Sequence, residues 1–156
     1  MRGVKKKVKR ILVALSMSVV FSSSGAEEIG CGVSVIPQNK IEYGCGCSYH
    51  LDVDKKFVPV FQAELDLQRP RMYIDGKLVP VTPAKIEPIP LNPKIGDKFT
   101  QQFSYNGRTA IFNNTITFVC PPQSESCEVI SFDTKLSVIG PACMANNIEI
   151  KGDCGC

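Results

Sequence analysis

Two Cys-Gly-Cys triplets constrain this chain more than any other feature: Cys45-Gly46-Cys47 lies in its first third, and Cys154-Gly155-Cys156 forms its last three residues. Residues two apart on a strand point to the same face. If the triplets lie antiparallel and in register, Cys45 faces Cys156 and Cys47 faces Cys154, with both facing pairs of one ladder type. Four cysteines remain. Cys120 and Cys127 flank Pro121-Pro122 and can bridge the mouth of a hairpin, and Cys31 with Cys143 follows by elimination. Eight cysteines permit on the order of a hundred connectivities, so this is a physically motivated choice and not a deduction. In the chain-entropy description a small hairpin ring is worth roughly 2 to 3 kcal/mol and a bridge between distant ends about 5. The terminal bridges are therefore expected to dominate stability.

Two other uses of the sulfur compete with this one. A Cys-x-Cys pair can close on itself in a strained ring, the oxidising and exchange-competent kind of disulfide, which would make the chain a thiol-disulfide redox protein. Against it, Cys156 sits at the C-terminal carboxylate, whose charge raises a thiol pKa, and neither triplet follows a strand and opens a helix. Alternatively four thiolates, with His50 three residues beyond Cys47 and Met72 or Met144 nearby, could hold a soft metal such as Cu(I) or Zn(II). The spacing is not that of a zinc finger or ribbon, and an oxidising compartment consumes thiols. No metal site and no cofactor is expected.

That compartment is read from the N-terminus. Arg2, Lys5, Lys6, Lys7, Lys9 and Arg10 precede the apolar run from Ile11 to Phe21, and Ser24 and Ala26 place small residues where a signal peptidase cuts. Residues 1–26 are expected to be a cleaved signal peptide and 27–156 a single domain. The apolar run falls well short of the roughly 20 residues a transmembrane helix needs, so no membrane span is expected after cleavage. With the six basic residues of the leader gone, twelve Lys and Arg face fifteen Asp and Glu, a formal charge of −3. The basic balance of the whole chain therefore belongs to the leader. No Lys or Arg cluster remains to track a phosphate backbone, and nucleic-acid binding is excluded.

Apolar and polar residues alternate at period two in several short runs, the mark of half-buried strands. Tyr49, Leu51 and Val53 share a face opposite His50 and Asp52; Phe61, Ala63, Leu65 and Leu67 form a second row; Phe99, Gln101, Phe103 and Tyr105 form a third. Asp75-Gly76 and Asn106-Gly107 sit between such runs as two-residue hairpin turns. Thr115 to Cys120 and Glu128 to Phe132 read as a further pair, and Lys135 to Ile139 and Ile148 to Ile150 complete the set. Five prolines between Pro80 and Pro93 suit an extended connection from one sheet to another. The fold expected is all-β: one antiparallel β-sandwich or barrel, stapled by disulfides.

No catalytic motif stands out. Ser48, His50 and Asp52 share a strand face, but a hydrolytic triad draws its members from different elements and needs an oxyanion hole. No carboxylate pair is nominated for glycoside hydrolysis, no phosphate-cradling glycine loop is present, and the Asn113-Asn114-Thr115 sequon matters only in a glycosylating host. No catalytic residue is assigned.

Taken together, Cys-Gly-Cys-Ser-Tyr (45–49), Tyr-Ile-Asp-Gly-Lys (73–77), Val-Cys-Pro-Pro (119–122), Ser-Cys-Glu-Val (126–129) and the terminal Gly-Asp-Cys-Gly-Cys (152–156) resemble the motif order of short exported bacterial proteins of unknown function. The resemblance spans nearly the whole mature chain and implies no activity. In size and class the chain is also similar to the small periplasmic β-barrel inhibitors of lysozyme, whose inhibitory motif has no counterpart here. The function expected is non-catalytic binding or structural work in the periplasm or secreted space, with a cell-envelope protein or glycan as partner. The surfaces expected to carry recognition are the tips at Asp75-Gly76 and Asn106-Gly107 and the loop from Cys120 to Cys127.

Overall fold

The computed structural model describes residues 27–53, 56–124 and 126–156. The leader and its cleavage site, read above over residues 1–26, lie outside them. Among the described residues eleven strands form one antiparallel sheet: β1 (Glu28–Gly30), β2 (Val33–Ser34), β3 (Gly46–Val53), β4 (Lys56–Glu64), β5 (Arg71–Ile74), β6 (Lys77–Pro80), β7 (Thr82–Ile86), β8 (Lys98–Tyr105), β9 (Arg108–Val119), β10 (Val129–Gly140) and β11 (Cys143–Gly155).

The expected all-β, antiparallel, disulfide-stapled fold holds, and the structure specifies its architecture. There are not two packed sheets but one, running from β7 through β8, β9, β10, β11, β3 and β4 to β5, on which β6 and the β2–β1 pair also lie. Its ladders leave the sheet open, yet its inner face closes on itself. Phe61 on β4 and Phe103 on β8 have ring centroids 4.7 Å apart, although five strand steps separate them, about 24 Å in a flat sheet. Chain connectivity demands the same curl. Val81 alone separates β6, partnered by β5, from β7, partnered by β8 at the far end of the order. A strand that changes partners across one residue makes a corner.

The core is aromatic. Tyr49, Phe61, Phe103, Phe112 and Phe132 are fully buried, and Tyr49 stacks against Phe112 at 4.5 Å and meets Phe61 edge-on at 5.5 Å. Polar groups buried among these rings are paired, as their desolvation requires. The Tyr49 hydroxyl donates to Gln101 Oε1 at 2.9 Å, and the Thr134 hydroxyl donates to Asn114 Oδ1 at 2.7 Å. Burial pushes the Tyr49 phenol far above its ordinary range.

Three local readings change. The row from Phe61 to Leu67 ends at Glu64; residues 65–67 form a 3-10 turn in which Asp66 and Leu67 have φ of 58° and 56°, and Leu65 is half exposed. The turn reverses the chain toward β5, and the Glu64 amide donates to the Gln68 carbonyl across it. Within β4 a bulge sets Val60 between residues paired to Tyr49 and His50, so Val60 and Phe61 are both buried and strict alternation breaks. The proline-rich segment begins as β7, an edge strand exposed along its whole length, where missing amide donors do no harm.

Gly152 has the tightest surroundings. It pairs with Tyr49 on one side and Phe132 on the other, and a Cβ there would lie 2.5 Å from the Phe132 ring and 2.7 Å from the Tyr49 ring. Two aromatic rings thus cover a bare stretch of backbone. Replacing Gly152 with Val is expected to destabilise the fold by about 2 to 3 kcal/mol or more through overpacking, read as a lower urea midpoint with the bridges intact. An unchanged midpoint would mean that the rings do not close over this residue.

Candidate functional site

Two regions gather side chains that the sequence singled out. The first is the seam between β3 and β11, where Cys47 pairs with Cys154 and Gly46 with Gly155. Disulfides join Cys47 to Cys154 and Cys45 to Cys156, with Cα atoms 4.1 and 4.3 Å apart, the close spacing of a non-hydrogen-bonded antiparallel pair. Neither triplet closes on itself. The middle glycines have a reason of their own: a Cβ on Gly46 would strike the Ala63 carbonyl, and one on Gly155 the Glu128 carbonyl. The two clamps differ in exposure, since Cys47 is 8% exposed and packs with Cys154 near the core, whereas Cys45 and Cys156 are exposed.

These clamps enclose nearly the same loop, so their effects do not add. Cys31–Cys143 already ties the same two chain regions together, so the inner clamp closes a ring of only about 30 residues, worth about 3.5 kcal/mol by chain entropy. With it in place, the outer one closes a ring of only about six residues, worth about 2 kcal/mol. Removing Cys45 and Cys156 as serines is expected to lower stability by about 2 kcal/mol, and removing all four seam cysteines by about 6, measured by denaturant unfolding. A loss near 5 kcal/mol for the outer pair alone would contradict the nesting.

The solvent face of the same seam carries His50. It is 15% exposed, its ring lies 4.9 Å from that of Phe57, and its Nδ1 is 3.8 Å from an Asp153 carboxylate oxygen, with no hydrogen-bond partner of its own. Ser48 and Asp52 flank it on β3, but Asp52 is paired to Lys151 at 3.2 Å, so the three are not wired as a relay. Asp153 is the residue the strand-face reading missed; the register that faces Cys47 with Cys154 also brings it beside His50. Burial lowers the imidazole pKa from 6.5, against the opposing pull of Asp153 and Asp52. The unfolded chain therefore binds a proton more readily, and the stabilisation present above pH 6.5 is lost as pH falls through the lowered folded value. His50→Phe is expected to flatten this part of the curve, seen as a smaller drop in Tm between neutral and mildly acidic buffer than in the parent; an equal drop would assign the dependence elsewhere.

The second region is a pole of turns. The β1–β2 turn at Cys31-Gly32, the β5–β6 turn at Asp75-Gly76, the β8–β9 turn at Asn106-Gly107 and the β10–β11 turn at Pro141-Ala142 meet at one end of the curled sheet. Asp75 and Asn106 have φ of 50° and 45°, each followed by a positive-φ glycine, the left-handed geometry of a type I′ hairpin. Cys31 is bridged to Cys143, the Asp75 amide donates to the Gly32 carbonyl at 2.8 Å, and Arg108 Nη2 lies 3.0 Å from both carboxylate oxygens of Asp75. The two hairpin tips are thus one surface, while the Cys120–Cys127 loop, at the other end of β9, is separate from it. Met144 and Ile139, paired across β10 and β11, add exposed apolar area at 64% and 39%.

A third feature is electrostatic. A cleft of about 720 Å³ crosses the solvent faces of β3, β11, β10, β9 and β8, where Asp52, Asp133 and Glu149 alternate with Lys98, Lys135 and Lys151. Opposite charges stand directly across from each other, Lys135 against Glu149 and Asp133 against Lys151, as on a solvated sheet face. Among the described residues no three His, Cys, Asp or Glu side chains are gathered to hold a metal ion.

Comparison of the chain with protein-family models, with curated proteins and with solved structures finds no match. The motif resemblance therefore reduces to a coarser class, a cysteine-rich, disulfide-linked all-β chain. Four bridges with no free thiol point to an oxidising, extracytoplasmic environment.

Proposed function

We propose that this chain is a non-catalytic binding domain of the bacterial cell envelope, periplasmic or secreted, whose pole of turns engages a protein partner. The observation that carries the reading is the joining of the Asp75-Gly76 and Asn106-Gly107 tips into one cross-tied surface by the Arg108 ion pair and the Cys31–Cys143 bridge. Loops held by a rigid frame lose little freedom on binding, and such preorganisation favours recognition. Exposed Met144, with Ile139 beside it, favours a protein over a glycan, because a flexible, polarisable thioether on an apolar patch suits protein contact surfaces.

A photoreactive amino acid placed at Met144 or Gly76 is expected to give discrete crosslinked species in living cells, and one at Gln123, in the Cys120–Cys127 loop, is expected to give none. Equal products from both ends of the molecule, or none from the pole, would remove the basis of this reading.

A further inference from the structure

We propose that the outer clamp, Cys45–Cys156, is a reversible thiol-exchange site, opened by a thioredoxin-type dithiol and closed again by oxidation, while the inner clamp stays formed and keeps the fold. The inference goes beyond the binding reading and does not depend on it.

Exchange needs a sulfur that an incoming thiolate can reach. Cys45–Cys156 is the bridge with both residues exposed; Cys47 is buried, and Cys31, Cys143, Cys120, Cys127 and Cys154 are each partly covered. The segment beside Cys45 leaves the bridge uncovered: Tyr43 is 75% exposed, and a Cβ on Gly44 would meet nothing within 4 Å.

Opening this bridge also removes no strand pairing. Gly155 opposite Gly46 is the last ladder pair, and Cys156 beyond it is held otherwise by one hydrogen bond, its amide donating to the Glu128 carbonyl at 3.2 Å. On the other side, Glu42 keeps its segment docked: its amide donates to Gln62 Oε1 at 3.1 Å, its carbonyl accepts from Gln62 Nε2 at 2.9 Å, and its carboxylate pairs with Arg71. The opened state therefore differs from the closed one only around residues 44–45 and 155–156. A switch with so small a structural change can cycle without passing through the unfolded chain.

The chemistry balances with the dithiol as reductant. One donor thiolate attacks a sulfur of the bridge, forms a mixed disulfide and expels the other as a thiolate; the second donor thiol then attacks the mixed disulfide and releases the remaining protein sulfur. One S–S bond is lost from the protein and one forms in the donor. Two electrons pass to the protein, and the donor's two thiol protons end on Cys45 and Cys156.

The test uses the folded protein with all four bridges formed, incubated without denaturant with reduced thioredoxin or with dithiothreitol, then alkylated and mapped by mass spectrometry. The expected result in both arms is two alkylated cysteines, Cys45 and Cys156, with the circular dichroism spectrum unchanged and the label lost after reoxidation. The Cys45→Ser/Cys156→Ser variant, checked for folding by the same spectrum, is expected to oxidise thioredoxin at least about tenfold more slowly. Labelling of another pair first, all eight cysteines reacting together as the spectrum collapses, or reduction by dithiothreitol but not by thioredoxin would each overturn the proposal.

Discussion

Everything in this fold rests on the pairing of β3 with β11. In sheet order the first six strands lie on one side of that seam and the last five on the other, so its ladder, from His50 opposite Lys151 to Gly46 opposite Gly155, is the hydrogen-bonded joint between two halves otherwise built from local hairpins. Pairing residues about a hundred positions apart must overcome loop-closure entropy before any contact forms, which makes such seams slow to assemble. Disulfide clamps at the seam address that weakness directly, since they act mainly by restricting the unfolded chain.

The seam also explains the placement of unusual residues on its two faces. On the inner face the order from the chain ends is clamp, clamp, then Gly152 beneath the Tyr49 ring, so covalent bracing grades into aromatic packing. On the outer face the same residue pairs set His50 beside Asp153 and Lys151 beside Asp52. A slip of one residue would turn Tyr49 to solvent and His50 to the core, and would separate both pairs of cysteines. Sulfur, aromatic burial and charge thus all select one register.

Much of this was legible in the residues because it depends on short-range geometry. Asp75-Gly76 and Asn106-Gly107 marked hairpins through the backbone angles they accept, and Tyr49, Phe99 and Phe103 marked inward faces through period two. The facing of the two triplets followed from the same period. What escaped depends on approach between distant segments. Nothing local shows that Gly46 and Gly155 are pressed by neighbouring carbonyls, that Val81 turns a strand from one end of the sheet to the other, or that Arg108 reaches Asp75. Leu65 misled because its alternation with Glu64 and Asp66 is identical in a strand and in the turn that replaces it; the positive φ at Asp66 and Leu67 separates the two.

Nesting of the clamps separates two duties that a single bridge would combine. A lone exposed disulfide at this seam would leave the joint itself open to reduction, with Cys31–Cys143 at the far pole as the remaining covalent tie between the halves. With Cys47–Cys154 shielded against the core, the stabilising role falls on the inner bridge, and the outer one encloses too short a ring to matter much for stability. Exposure and dispensability therefore coincide at Cys45–Cys156, the combination that allows a bond in a stapled scaffold to change state while the scaffold holds. The spacing of two residues, with glycine between, permits the favourable order because it keeps both bridges on one face while stepping the outer one past the last ladder pair.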